Sequence, residues 1–173
     1  MKIDFSNSPK SQGYFFPPEW HPHFATWLTF PHNDASWQGG KREKMHNNYM
    51  QLVKTISTKE KVCINANSIE IEQLILQLCL ENEIDLDQIE ILVNPTNDAW
   101  CRDHGPSFLI NPTTKQRLIL DWEYNAWGGK YPPFSDDNDL PKKIADYRGL
   151  PFVSPGIVME GGSVEFNGAG TIL

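Results

Sequence analysis

The sequence predicts an α/β fold built on parallel strands, and three observations predict it. Two segments carry apolar residues at helical spacing, short strand-like apolar runs alternate with them, and the connections between are only a few residues long. Strand, helix, strand, helix, strand in that order reads as parallel βαβ units with right-handed crossovers.

The first strand is expected at Ala25–Phe30, an apolar run bounded by Pro22 and Pro31. From Gly40 to Ser57, Met45, Tyr49, Leu52, Val53 and Ile56 recur at three and four residues, which predicts a helix with Lys and Glu on its other face. Lys61–Ala66 reads as the second strand. Asn67 with Glu70 is a capping pair for the next helix, because the first backbone N–H groups of a helix need a side-chain acceptor. That helix is expected to run to Asn82 with Ile71, Leu74, Ile75, Leu78 and Cys79 inward, and Ile89–Val93 is the third strand.

Beyond Val93 the pattern changes. Ser107–Ile110 and Arg117–Tyr124 flank the turn-like Asn111–Thr114, an antiparallel hairpin. Leu140–Tyr147 is a short helix opened by Asp136–Asp139, with Pro141 tolerated in its first turn. Val158–Phe166 and Thr171–Leu173 read as a second hairpin around Asn167–Gly170. The chain stops inside that last strand, and an unpaired strand end leads to the expectation of a truncated domain. Met1–Tyr14 is polar and is expected to be a loose arm.

The 173 residues, 39% hydrophobic and 21% charged, fit one globular domain with a core and argue against disorder. No apolar run approaches the roughly 20 residues of a membrane helix, and the N-terminus lacks an apolar signal core. A soluble, cytoplasmic protein without membrane partners is the expectation. A net charge of −7 argues against nucleic acid and is compatible with a small cationic substrate. Cys63, Cys79 and Cys101 are odd in number and lack CxxC spacing, which argues against a disulfide framework or zinc. Cys63 and Cys79 read as buried small hydrophobes. The histidines His21, His23, His32 and His46 read as surface or turn residues, and neither metal nor cofactor is expected.

Chemistry concentrates directly after the third strand, where open α/β folds place their sites: Asn97-Asp98-Ala99-Trp100-Cys101-Arg102-Asp103-His104-Gly105-Pro106. Two carboxylates, an arginine, a tryptophan and a histidine share ten residues. Taken alone, Asp98 could cap a turn, Arg102 could pair with a carboxylate and Trp100 could be core. A second cluster is Met159-Glu160-Gly161-Gly162-Ser163, where two glycines after an acid permit close backbone approach or positive φ. A plain glycine turn with an exposed glutamate is the other reading. Tyr124-Asn125-Ala126-Trp127-Gly128-Gly129-Lys130-Tyr131 is an aromatic, glycine-rich loop without assigned chemistry.

Together these segments resemble the agmatine deiminases and bacterial-type peptidylarginine deiminases of the pentein superfamily. The resemblance rests on Pro18-Glu19-Trp20 with Trp27 and Pro31, then NDAWCRDHGP, NAWGGKY and EGGSVEFNGAGT, in the family's order across nearly the whole chain. It implies a β/α propeller of ββαβ repeats around an acidic pocket, and hydrolysis of a guanidinium through an amidino-cysteine intermediate. It further implies that Asp103 grips the guanidinium and that Trp100 lines the substrate channel. Glu160 would position and charge a catalytic histidine, with Gly161 and Gly162 shaping that strand end. Asn97, Asp98 and Arg102 would hold the loop. In the family the catalytic histidine and nucleophilic cysteine follow the EGG segment, so this chain is expected to be the N-terminal half of one pentein catalytic domain and inactive by itself.

Cys101, beside Arg102 and near His104, is conceivable as an activated thiolate, but in an extended stretch it would share a direction with Asp103, and the family's nucleophile lies elsewhere. Agmatine is the leading substrate. Peptidyl-arginine, which needs an open groove, is the alternative, and a non-catalytic guanidinium-binding half-protein is the reading from another class. Half a propeller would expose an apolar cut face, so either association, with a homo-oligomer as one form of it, or marginal stability is expected.

Overall fold

The computed structural model describes residues 8–38 and 41–173. The chain forms two compact units, one of Pro22–Cys101 and one of Met1–His21 with Arg102–Leu173.

In the first unit the predicted alternation is realised: β1 (Ala25–Thr29), α1 (Arg42–Ser57), β2 (Lys61–Ala66), α2 (Ile69–Glu81) and β3 (Ile89–Val93). The three strands are parallel with β2 central, Ala25 opposite Lys61 and Val62 opposite Ile89. Period-two alternation puts Val62, Ile64 and Ala66 on one face of β2, packed with Met50 and Val53 of α1 and Ile75 and Cys79 of α2, all fully buried. The other face of β2 carries Lys61, the buried Cys63 and Asn65. Asn65 is buried and donates to the Leu28 carbonyl and the Thr29 hydroxyl, and its side-chain oxygen accepts from Asn94. These bonds offset its desolvation.

Several expectations here need correction. The helix opens at Arg42, with Gly40 outside the described residues. Its inner face carries His46, Met50 and Val53, while Leu52 is about half exposed. His46 is therefore no surface residue: its Nε2 lies 3.0 Å from the Pro31 carbonyl and burial holds its pKa low. Ser68, not Asn67, caps α2, its hydroxyl accepting from the Ile71 amide. The Asn67 side chain instead accepts from Thr96, after β3. Cys63 and Cys79 are buried as expected.

The chain leaves this unit through the single helical turn α3 (Cys101–His104). In the second unit β4 (Ser107–Ile110) and β5 (Arg117–Leu120) form the expected antiparallel hairpin. Its turn is closed by the Asn111 side chain, which accepts from the amides of Thr113 and Thr114. The second strand ends at Leu120, short of Tyr124. A further strand, β6 (Phe152–Val153), pairs parallel with β5; at two residues it leaves too little pattern to read. Between them lie three short elements: the turn α4 (Ala126–Gly129), the single turn α5 (Ser135–Asn138) and the predicted helix α6 (Leu140–Arg148), with Pro141 in its first turn and Gly149 in the left-handed cap.

The second expected hairpin forms only next to its turn, where Phe166 bridges Ile172 and Glu165 exchanges backbone hydrogen bonds with Leu173, while Gly161–Ser163 forms a 3-10 turn instead of continuing a strand. Of the expected loose arm, residues 1–7 lie outside the described residues. Pro9–Gln12 form a 3-10 turn capped by Ser8, Tyr14 is buried against Leu109 and Leu118, and Phe15 bridges Ile110. No helix among the described residues is long and apolar enough to cross a membrane.

Candidate functional site

The parallel unit gathers its loops at the carboxyl ends of its strands. After β1, His32 lies within hydrogen-bond distance of the Thr96 carbonyl, 3.1 Å from Nε2, and Asn33 donates to the Asn97 carbonyl at 3.0 Å. Ser36 donates to Asp98, whose other carboxylate oxygen accepts from the Ala99 amide at 2.8 Å. Asn97 takes part through its backbone carbonyl and Asp98 through its carboxylate. Trp100, 42% exposed, stacks on Trp37 with ring centroids 6.1 Å apart. Trp37 was not among the sequence-predicted residues. Its placement on a loop following a strand's carboxyl end was the available signal.

Cys101 is half-buried at the start of α3, its amide donating to the Ala99 carbonyl at 2.9 Å. The stretch is helical, not extended, so side chains 101 and 103 diverge by about 200° at 3.6 residues per turn.

In the second unit Asp103 is fixed by a close backbone approach. The Gly162 amide donates to its Oδ1 at 3.0 Å. A Cβ on Gly162 would lie 2.6 Å from that oxygen, and one on Gly161 only 2.2 Å from the Arg102 carbonyl oxygen. Neither glycine has positive φ, so close approach, the first of the two reasons the sequence offers for them, is the operative one. Arg102 ties the same turn to two distant segments. Its guanidinium pairs with Glu19 of the Pro18-Glu19-Trp20 segment and, at 3.3 Å, with Glu165. The hydrogen bond to Glu19, reinforced by the nearby charges of Glu19, Glu165 and Asp103, pushes the Arg102 pKa up. Gly168, at φ +70°, lets the chain pass within contact of Pro18. Glu19 and Glu165 were not predicted as partners, since neither sits at a spacing that connects it to Arg102 in sequence.

Glu160 is half-buried, and its Oε1 accepts from the Trp127 amide at 3.0 Å. The aromatic glycine-rich loop that had no assigned chemistry is thus joined to the EGG segment. Trp127, 37% exposed, makes edge contacts with Tyr124 and Tyr131, each at 5.8 Å. His104 is 2% exposed and stands edge-on to Tyr124 at 5.8 Å, so it belongs to the packing beneath the loop. Among the described residues no cluster of three His, Cys, Asp or Glu side chains could hold a metal.

The second unit thus brings together Arg102, Asp103, Glu160, Gly161 and Gly162. The parallel unit carries Asn97, Asp98 and Trp100. A half-buried carboxylate held by a backbone donor, as Asp103 is, can bind a planar cation by hydrogen bonds.

Comparison with known proteins gives a consistent result. The sequence model of the family described as Porphyromonas-type peptidyl-arginine deiminase matches residues 15–173. The chain is 32% identical over 173 residues to the agmatine deiminase of Ectopseudomonas mendocina, covering 97% of this chain and 45% of that protein. With the agmatine deiminase of Pseudomonas savastanoi pv. phaseolicola the identity is 31%, over 97% of this chain and 45% of the other. The structure superposes on the agmatine deiminase of Enterococcus faecalis with a TM-score of 0.84 at 27% identity, covering 99% of this chain and 46% of that one. The partial pentein α/β fold expected from the motifs is the fold found, and the chain spans about half the length of the curated relatives it matches.

Proposed function

The chain belongs to the Porphyromonas-type peptidyl-arginine deiminase family, and from that membership we propose that the protein it is part of hydrolyses the guanidinium group of agmatine to N-carbamoylputrescine and ammonia. The observation that carries the reading is the similarity, over nearly the full chain, to relatives named agmatine deiminases, and it is supported by the backbone amides of Gly162 and Trp127 that hold the carboxylates of Asp103 and Glu160.

The reaction proceeds by attack of a cysteine thiolate on the guanidinium carbon, loss of ammonia after proton transfer from a histidine, and addition of water to the amidino-cysteine. Collapse returns the thiolate and frees the ureido product. The cysteine and histidine are supplied by sequence beyond residue 173. This chain supplies the grip. Asp103 faces the cation with its unbonded lone pairs while the Gly162 amide holds the carboxylate in place. Glu160 orients and charges the histidine, and the Trp100 ring, backed by Trp37, forms an apolar wall for the methylene chain.

The test is Asp103→Asn in the intact protein, with ureido product and ammonia both measured. A hydrogen bond to a charged group contributes about 1.5–3 kcal/mol, so kcat/KM should fall at least about 10- to 150-fold. Unchanged kinetics would reject the assignment of Asp103. Peptidyl-arginine is the second reading, favoured by the description of the family itself. Faster turnover of an arginine-containing peptide than of agmatine would select it. Agmatine binding with no ureido product would select a guanidinium-binding protein instead.

A further inference from the structure

The turn Ala126–Gly129 is built with the wrong hand. Ala126, Trp127, Gly128 and Gly129 have φ of 51°, 57°, 79° and 76°, four consecutive residues in the left-handed region. Glycine enters that region freely, but alanine and tryptophan meet their own carbonyls there, and natural chains visit it as single residues. Such a run persists only where its surroundings hold it, and strain of this kind gathers at functional sites.

The local bonds account for part of the hold. The Asn125 side chain accepts from the Gly128 amide at 2.7 Å, and the Asn125 carbonyl from Gly129 at 2.6 Å. The remaining amide of the turn's second residue has a different destination. Trp127 N–H donates to Glu160 Oε1 across 33 residues of sequence. A right-handed turn at 126–129 would curl the chain to the opposite side of its axis and carry this amide with it, so the donor stands at this place because the turn is left-handed.

We infer that the left-handed turn Ala126–Gly129 is a positioning device for the Glu160 carboxylate, with the Trp127 amide as its fixed donor. One carboxylate oxygen is anchored to the backbone, and the other is left to meet a partner, with a defined direction. Gly128 and Gly129 are the residues that make the hand accessible: a Cβ at either would meet nothing within 4 Å, so their requirement is conformational and not steric. The inference deepens the proposed function, since it rests on Glu160 acting on the catalytic histidine.

The experiment uses the intact protein and two readouts. Amide hydrogen exchange at Trp127 should be slow in the native protein and should become fast in Glu160→Ala. Gly128→Ala should lower kcat about 3- to 10-fold with KM within about 2-fold, because it disturbs orientation and not binding. Gly128→Asn adds a larger side chain into the same open space but tolerates left-handed φ, so it should recover most of the loss. In a Glu160→Gln background, Gly128→Ala should have no further effect. Equal exchange at Trp127 with and without the Glu160 carboxylate overturns the inference. So does a Gly128→Ala effect of the same size in both backgrounds, which would mark a merely structural turn. If exchange behaves as expected but Glu160→Gln keeps wild-type kcat, the contact stands and the role of Glu160 in turnover falls.

Discussion

Replacing Gly161 by alanine is a sharp perturbation because its whole effect is steric. Gly161 lies outside the positive-φ region, so an alanine there has no backbone conformation to resist. Its Cβ, however, would sit 2.2 Å from the Arg102 carbonyl oxygen and 3.3 Å from the carbonyl carbon, where ordinary contact begins at 3.4 Å. Both are backbone atoms with no rotamer to escape into. The strand of chain carrying Arg102 and Asp103 must therefore retreat by about 1 Å from the Gly161-Gly162 turn, an overpacking that costs about 1–3 kcal/mol. The 3.0 Å bond from the Gly162 amide to Asp103 spans that same gap and would be broken. A melting temperature about 2–10 °C lower should result. A displacement of about 1 Å at a substrate carboxylate costs on the order of 100-fold in rate, so kcat/KM should fall by that factor. The assays are thermal unfolding and ammonia release by the intact protein. Gly162→Ala is the internal contrast: its Cβ meets only the rotatable carboxylate of Asp103, so activity should fall with little change in melting. If Gly161→Ala melts within about 1 °C of wild type and keeps kcat/KM within about 2-fold, the close approach is not holding Asp103.

Two further outcomes concern the parallel unit. Burial keeps the His46 pKa below its ordinary 6.5, so the unfolded chain takes up the proton first. Stability is fully present above about pH 6.5 and is lost as pH falls through that value toward the lowered folded one, and His46→Gln should flatten the urea-midpoint difference between about pH 7.5 and pH 5.5. An unchanged difference in that variant would mean other groups carry the acid sensitivity. Burial also pushes the Cys79 thiol up to about 11. Cys79 and the buried Cys63 should therefore stay unreactive toward a disulfide reagent near pH 8 until the protein unfolds, and rapid native-state labelling at either would show that the sheet opens readily.

The elements of the parallel unit were legible because helix and strand periodicities are local. Val62, Ile64 and Ala66 alternate, and Ile75 and Cys79 sit one turn apart, whatever the rest of the chain does. Where the pattern misled, a long-range contact had taken over a local role. Asn67 was the natural cap by spacing, yet its side chain serves Thr96 and leaves the cap to Ser68. His46 looked polar and therefore external, yet the Pro31 carbonyl gives it an internal partner. The second hairpin is shorter than its pattern suggested: it pairs at Glu165 with Leu173 and at Phe166 with Ile172, but at Gly161–Ser163 the chain is drawn against Arg102 and Asp103 and does not stay extended.

By itself the sequence determined the α/β class and the parallel order of three strands, and it singled out the short motifs proposed to hold the chemistry, because hydrophobic spacing and motif order are written along the chain. Only the tertiary structure decided what those motifs touch. The pairs Arg102 with Glu19, Asp103 with Gly162, and Trp127 with Glu160 join residues dozens of positions apart. Such pairs follow from how strands and turns close in space, a property that no local period encodes. The left-handed turn is the clearest case: intrinsic preference forbids it at Ala126 and Trp127, and the folded surroundings hold it in place.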